Sequence, residues 1–163
     1  MTTPSQTVGP FFGFALPYAD DWALVPEGHP GAVLITGRVL DGAGEPVPDA
    51  VLELWTGETG TRGALARGGP GASGFGRCAT EPDGSYRFRA APPAGPYYSL
   101  TVFARGLLRQ VLTRIYLEDR PDPLLDSLPP GRRATLIARP DDAGAHRFDV
   151  RLQGEGETVF LAF

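Results

Sequence analysis

The sequence predicts an all-β fold, an antiparallel β-sandwich with long loops and an extended N-terminal arm. Three observations predict it. With 22 glycines and 17 prolines in 163 residues, long helices have little room, because both residue types punctuate regular structure. The periodic segments have period two: across 146–152, Phe148, Val150 and Leu152 fall on one face and Arg147, Asp149 and Arg151 on the other. Short runs of this kind, about seven in all, are separated by turn chemistry, which is the grammar of a sandwich.

Taken in order, residues 1–32 carry proline, glycine and aromatics without a clean period and read as an arm lying over a surface. The first strand is expected at 33–40, followed by the turn Asp41-Gly-Ala-Gly44 and a second strand at 50–55. Residues 56–76, rich in glycine and threonine, read as a long loop. Pro82-Asp83-Gly84 then turns the chain into 85–89, where Tyr86 and Phe88 share a face. Further strands are expected at 100–104, 111–117, 134–138 and 146–152. Between them 118–133, with Pro121, Pro123, Pro129 and Pro130, reads as irregular. Loops this long without regular structure usually carry contacts or function. No helix is predicted, and the domain boundary is placed between the arm, 1–32, and a sandwich of 33–163.

Hydrophobic residues at 42% and charged residues at 21% support one packed domain. A net charge of −4 offers no electrostatic footprint for nucleic acid or an anionic membrane. The single Cys78 permits no internal disulfide and agrees with a reducing compartment. No apolar run approaches a membrane span, and the N-terminus lacks the features of a signal peptide, so a cytoplasmic location is expected.

The common catalytic patterns are missing. There is no Gly-x-Ser-x-Gly elbow, no His-Glu-x-x-His and no cysteine pair at zinc spacing. Gly74-Phe-Gly-Arg77 lacks the later glycine of a dinucleotide loop. Glu53 and Glu58 are the nearest carboxylate pair, but Glu53 lies in a strand pattern and reads as a paired structural charge. His29 and His146, the only histidines, read as surface residues rather than ligands. Trp55, Tyr86 and Phe88 read as core, and Cys78 as a small buried residue rather than a nucleophile. Both ends are apolar, Phe11-Phe-Gly-Phe14 and Glu157-Thr-Val-Phe-Leu-Ala-Phe163. Termini normally fray, so these runs pack either on the chain's own core or on a partner.

Several stretches carry a resemblance: SQTVGPFF (5–12), GRVLDGAGEPVP (37–48), LELW (52–55) and GRCAT (76–80). To these are added FARG (103–106), TRIY (113–116), ATLIA (134–138) and RFDVRLQGEGETVF (147–160). In this order, over nearly the whole chain, they resemble the intradiol ring-cleaving dioxygenases, and within them the alpha type of subunit in the two-subunit members.

That resemblance implies a ferric ion held by two tyrosines and two histidines. The matching positions here are Gly63, Tyr97 and Ser99, and Tyr97 is also the tyrosine of the only Gly-Pro-Tyr segment, so it cannot fill two places. A ferric site of this kind needs anionic phenolates with neutral imidazoles at fixed geometry. The expectation is therefore no metal ligand and no catalytic residue in this chain, with Fe(III) held by a partner beta subunit in a hetero-oligomer.

The implied substrates are 3,4-dihydroxybenzoate (protocatechuate) and O2. The implied contribution of this chain is substrate binding by Thr7, Gly9, Pro10 and Arg105, with the arm serving as subunit contact and pocket wall and both apolar ends in the interface. Arg105 also stands on its own merits. It follows an apolar strand and precedes Gly106, which suits a cation presented at a strand end and able to grip a carboxylate. The alternative is a surface arginine in an ordinary ion pair. Gly9-Pro10 would act by shape, or is a plain turn. Two other readings are a non-enzymatic transthyretin-like binding module and a free-standing homodimeric dioxygenase; the missing ligands oppose the second.

Overall fold

Burial in the long strands follows the period of two that the sequence predicts. In β1 (Val33–Leu40) Ile35 and Val39 are buried while Leu34 and Arg38 face out; in β4 (Ser85–Ala90) Tyr86, Phe88 and Ala90 are buried. The computed structural model describes Gly9, residues 12–57 and residues 74–162. Beyond β1 and β4 it contains β2 (Val51–Trp55), β3 (Phe75–Ala79), β5 (Tyr98–Phe103), β6 (Val111–Ile115), β7 (Arg139–Pro140), β8 (His146–Arg147) and β9 (Val150–Arg151). Three single-turn helices join them: α1 (Phe12–Ala15), α2 (Pro123–Asp126) and α3 (Pro130–Arg133).

Two sheets result. One has the order β4-β1-β8-β7 with β9 also on β1, and the other has the order β3-β2-β5-β6. Residues from both, among them Ile35, Phe88, Leu52, Leu100 and Val150, make one buried core. Each large apolar side chain buried there stabilises the fold by roughly 1.5–3 kcal/mol relative to exposure. Tyr86 and Phe88 meet edge to face at 6.0 Å, as core residues, while Trp55 is half-buried against Phe75.

Pairing is mostly antiparallel, but β1 runs parallel to β8 and β9. Here the expected single strand 146–152 is interrupted. Its register against β1 is the same before and after the break, yet the Asp149 carboxylate accepts the Arg38 N–H (2.9 Å) in place of a backbone carbonyl. The Phe148 carbonyl turns inward and accepts the Tyr86 hydroxyl at 2.5 Å. Only glycine fits opposite: a Cβ on Gly37 would lie 1.8 Å from the Phe148 oxygen.

Three expectations need correction. β3 begins inside the stretch read as a 56–76 loop, because its buried residues, Gly76 and Cys78, are too small to register as an apolar face. The 118–133 stretch contains α2 and α3. Asp122 caps α2 through bonds from the Leu124 and Leu125 N–H groups, and Pro123 sits at its start, a helix signal of ordinary kind. Residues 134–138 do not form a strand; Ala134–Leu136 is a 3-10 turn continuing α3, and only Ile137 bridges to Tyr116.

Part of the apolar C-terminal run is built into the chain itself. Thr158 and Val159 are buried in the chain's own fold, held by the Thr113 hydroxyl donating to the Val159 carbonyl (2.7 Å) and by Leu161 bridging Leu112. Phe160 and Leu161 are half-buried and Ala162 is exposed, and Phe163 lies outside the described residues. In the arm, Phe12 is buried and 21–25 is built into the gap between β3 and β4. Arg77 N–H donates to the Asp21 carbonyl, Leu24 N–H donates to Arg89, and Leu24 fills the space over Gly76, where a Cβ would sit 2.3 Å from it. No helix among the described residues is long and apolar enough to cross a membrane.

Candidate functional site

The sequence places four substrate-binding residues. Thr7 and Pro10 lie outside the described residues. Gly9 has φ +76, a backbone that favours glycine, with open space where a Cβ would project. Arg105 stands just beyond β5, on a turn whose Gly106 has φ +87, with its side chain 62% exposed. Its Nε is ion-paired with Asp49 Oδ2, so both readings of Arg105 find some footing: it is a paired surface cation, and it is a cation presented at a strand end. Leu108, in the same turn, is 65% exposed.

Arg105 lines neither of the two main clefts. The larger, ≈ 570 Å³, lies among Trp22, Arg38, Cys78, Arg87 and Arg147. The smaller, ≈ 370 Å³, lies beside Thr135, Arg139 and Arg151. Arg105 therefore faces solvent in the isolated chain.

Two of the positions that the resemblance assigns to iron ligands, Tyr97 and Ser99, lie in a cluster of a different kind. Ser99, on β5, is opposite Trp55 of β2 and Arg114 of β6. The Arg114 guanidinium lies 3.9 Å from the centre of the Tyr97 ring, and Tyr97 packs against Tyr116 at 5.5 Å. Arg114 Nη1 donates to the Tyr116 hydroxyl (3.2 Å), which donates to Asp122 Oδ1 (2.9 Å). Burial pushes the Tyr116 phenol above its usual range. Burial alone would raise the Asp122 carboxyl too, but the Tyr116 hydroxyl and the Leu124 and Leu125 N–H groups outweigh it and hold that carboxyl low.

These residues do not fit a ferric ion. Tyr97 bears a guanidinium on its face, Ser99 and Gly63 are not phenolate or imidazole donors, and a fixed cation repels another. No group of three or more His, Cys, Asp or Glu side chains comes together among the described residues as a metal site requires.

The remaining candidates are structural. Glu53 Oε1 accepts both Arg77 Nε (3.0 Å) and Nη2 (2.6 Å), while Arg77 Nη1 reaches the Leu16 carbonyl and ties the arm to β3. Glu58 lies outside the described residues. Burial raises the Cys78 thiol, opposite to what a nucleophile needs. His29 and His146 are both half-buried, and His146 Nδ1 has no hydrogen-bond partner among the described residues. Asp49, Arg114 and Asp122 were not singled out by the sequence. Asp122-Pro123 carried a helix-start signal, but Asp49 and Arg114 gain meaning only from their neighbours across strands.

What these features describe is a two-sheet β-sandwich with one shared core. A family model described as Dioxygenase matches residues 7–101. The protocatechuate 3,4-dioxygenase alpha chain of Burkholderia cepacia is 37% identical over 98% of this chain and 96% of its own length. The beta chain of the same organism's enzyme is 26% identical over 77% of this chain and 66% of its own. Among solved structures, the dioxygenase domain of a dioxygenase–carbohydrate-binding fusion from Streptomyces sp. SirexAA-E superimposes with TM-score 0.59 at 25% identity, covering 93% of this chain and 98% of that one. The chain belongs to the intradiol dioxygenase family.

Proposed function

We propose that this chain is the alpha subunit of a protocatechuate 3,4-dioxygenase and acts in the cytoplasm with an iron-bearing beta subunit. The observation that carries the reading is the end-to-end match to an alpha chain, closer and longer than the match to a beta chain. The arginine cluster at the would-be metal position supports it, because it leaves the ferric ion to the partner. Family membership displaces the binding-module alternative.

The reaction is O2-dependent cleavage of 3,4-dihydroxybenzoate to 3-carboxy-cis,cis-muconate. The carbon–carbon bond between the two hydroxyl-bearing carbons breaks, and each of those carbons takes one oxygen atom from O2. Fe(III), bound by beta, supplies the redox centre for the catecholate. This chain binds and orients. Arg105 offers a guanidinium to the ring carboxylate, an interaction that strengthens once the partner covers the site and lowers the local dielectric. Gly9 lets backbone approach the ligand, with Thr7 and Pro10 completing the wall.

The test is expression of the chain alone and together with a beta subunit, measuring iron content and protocatechuate-dependent O2 uptake. Alone it is expected to be inactive, with activity appearing on co-expression. Stoichiometric iron and turnover in the lone chain would overturn the reading.

A further inference from the structure

The pairing of β2 with β5 ends on Val51 opposite Phe103. Two residues further out on each strand stand Asp49 and Arg105, so the same register sets them face to face, and the ion pair from Arg105 Nε to Asp49 Oδ2 closes it. The two partners differ in how firmly they are held. Asp49 lies on a turn clamped by the buried Thr80. The Ala50 N–H donates to Thr80 Oγ1 (3.0 Å), the Thr80 hydroxyl donates to the Val47 carbonyl (2.8 Å), and the Thr80 N–H donates to the Ala50 carbonyl (2.9 Å). Pro46 and Pro48 further restrict that backbone. Arg105 is a long side chain on a glycine turn, exposed, with many rotamers open to it.

The ion pair's nearest approach is between Nε and Oδ2, and a guanidinium carries five N–H donors. Nη1 and Nη2 make no hydrogen bond among the described residues. A fixed carboxylate thus sits beside Nε, and terminal nitrogens that make no hydrogen bond have donors to offer a second carboxylate.

We propose that Asp49 is a positioning residue that holds Arg105 so that its terminal nitrogens meet the ring carboxylate of the catechol, giving the assembled enzyme its preference for catechols that bear one. This rests on the role proposed above for Arg105. A plain electrostatic account makes the opposite prediction. If Asp49 only neutralised Arg105, removing its charge would strengthen attraction for the anionic substrate and lower KM.

The experiment uses the assembled alpha–beta enzyme with Asp49→Asn, Asp49→Glu, Arg105→Ala and the Asp49→Asn/Arg105→Ala pair. Asp49→Asn is expected to raise KM for 3,4-dihydroxybenzoate by roughly 5- to 20-fold with little change in kcat, the pattern of lost binding shared by ground and transition states. Asp49→Glu, which keeps the charge, recovers part of that loss. The Ki of 4-methylcatechol, the same ring without the carboxylate, stays within about twofold of wild type. In the Arg105→Ala background, Asp49→Asn adds nothing, because its only route to the substrate is gone.

An unchanged or lowered KM in Asp49→Asn overturns the inference, as does an additive loss in the pair or an equal loss for both ligands. Arg105→Ala keeps the two claims apart. If it raises KM while Asp49→Asn does not, only the positioning role fails; if it leaves KM untouched, the pocket role of Arg105 fails first.

Discussion

Replacing Asp122 with alanine tests whether the cluster at the would-be metal position is a structural substitute for one. Asp122 does three things. It caps α2 by accepting the Leu124 N–H at 2.9 Å and the Leu125 N–H at 3.4 Å, it accepts the fully buried Tyr116 hydroxyl, and it lies 3.8 Å from Arg114. Losing an N-cap costs about 1 kcal/mol, and leaving a buried hydroxyl without its acceptor costs about 1–3 kcal/mol. The sum, roughly 2–4 kcal/mol, is a large part of a domain's total stability. For a chain of this size it corresponds to a fall in Tm of about 5–15 °C.

The assay is thermal unfolding followed by circular dichroism, with Asp122→Asn as the milder variant because it keeps an acceptor oxygen. The pH dependence follows from the lowered Asp122 carboxyl, whose ordinary value is 3.8. A depressed carboxylate contributes its full stability above the unfolded value and loses it as pH falls through the folded one. The gap between wild type and Asp122→Ala should therefore be constant from pH 7 to about 5 and narrow below about pH 4. A variant within about 0.5 kcal/mol of wild type at pH 7, or a gap unchanged at pH 2, would refute this account of the cluster.

Three further outcomes are expected. Arg105→Ala in the assembled enzyme should lower kcat/KM by about 10- to 100-fold, from the ~1.5–3 kcal/mol of a charge-assisted hydrogen bond; unchanged kinetics would reduce it to a surface residue. Gly37→Ala should destabilise by more than about 3 kcal/mol, because the Cβ collides with the backbone carbonyl of Phe148 and displaces the acceptor of Tyr86. A Gly37→Ala chain that melts like wild type would show that the close approach is unimportant. Cys78, at the wall of the larger cleft with its thiol pushed up by burial, should react with a thiol reagent more slowly in the native chain than in the unfolded one, and equal rates would contradict that.

What the sequence alone determined is what local pattern encodes. The bounds of β1 were legible to the residue, and β4 nearly so, because large apolar side chains alternating with arginine state both the period and the face. The class of fold followed from several such runs with turns between them. Strand-end placement of Arg105 was legible for the same local reason.

Only the tertiary structure decided what depends on residues far apart in the chain. β3 escaped notice because Gly76 is small to admit Leu24, and that need arises 52 positions away in the sequence. The break between β8 and β9 at Phe148 and Asp149 comes from one side chain taking a backbone donor on a distant strand, β1, beside which both run parallel. The same holds at the site. Asp49 meets Arg105 and Arg114 covers Tyr97 because strand register aligns them, and register is a property of paired segments that neither segment carries alone.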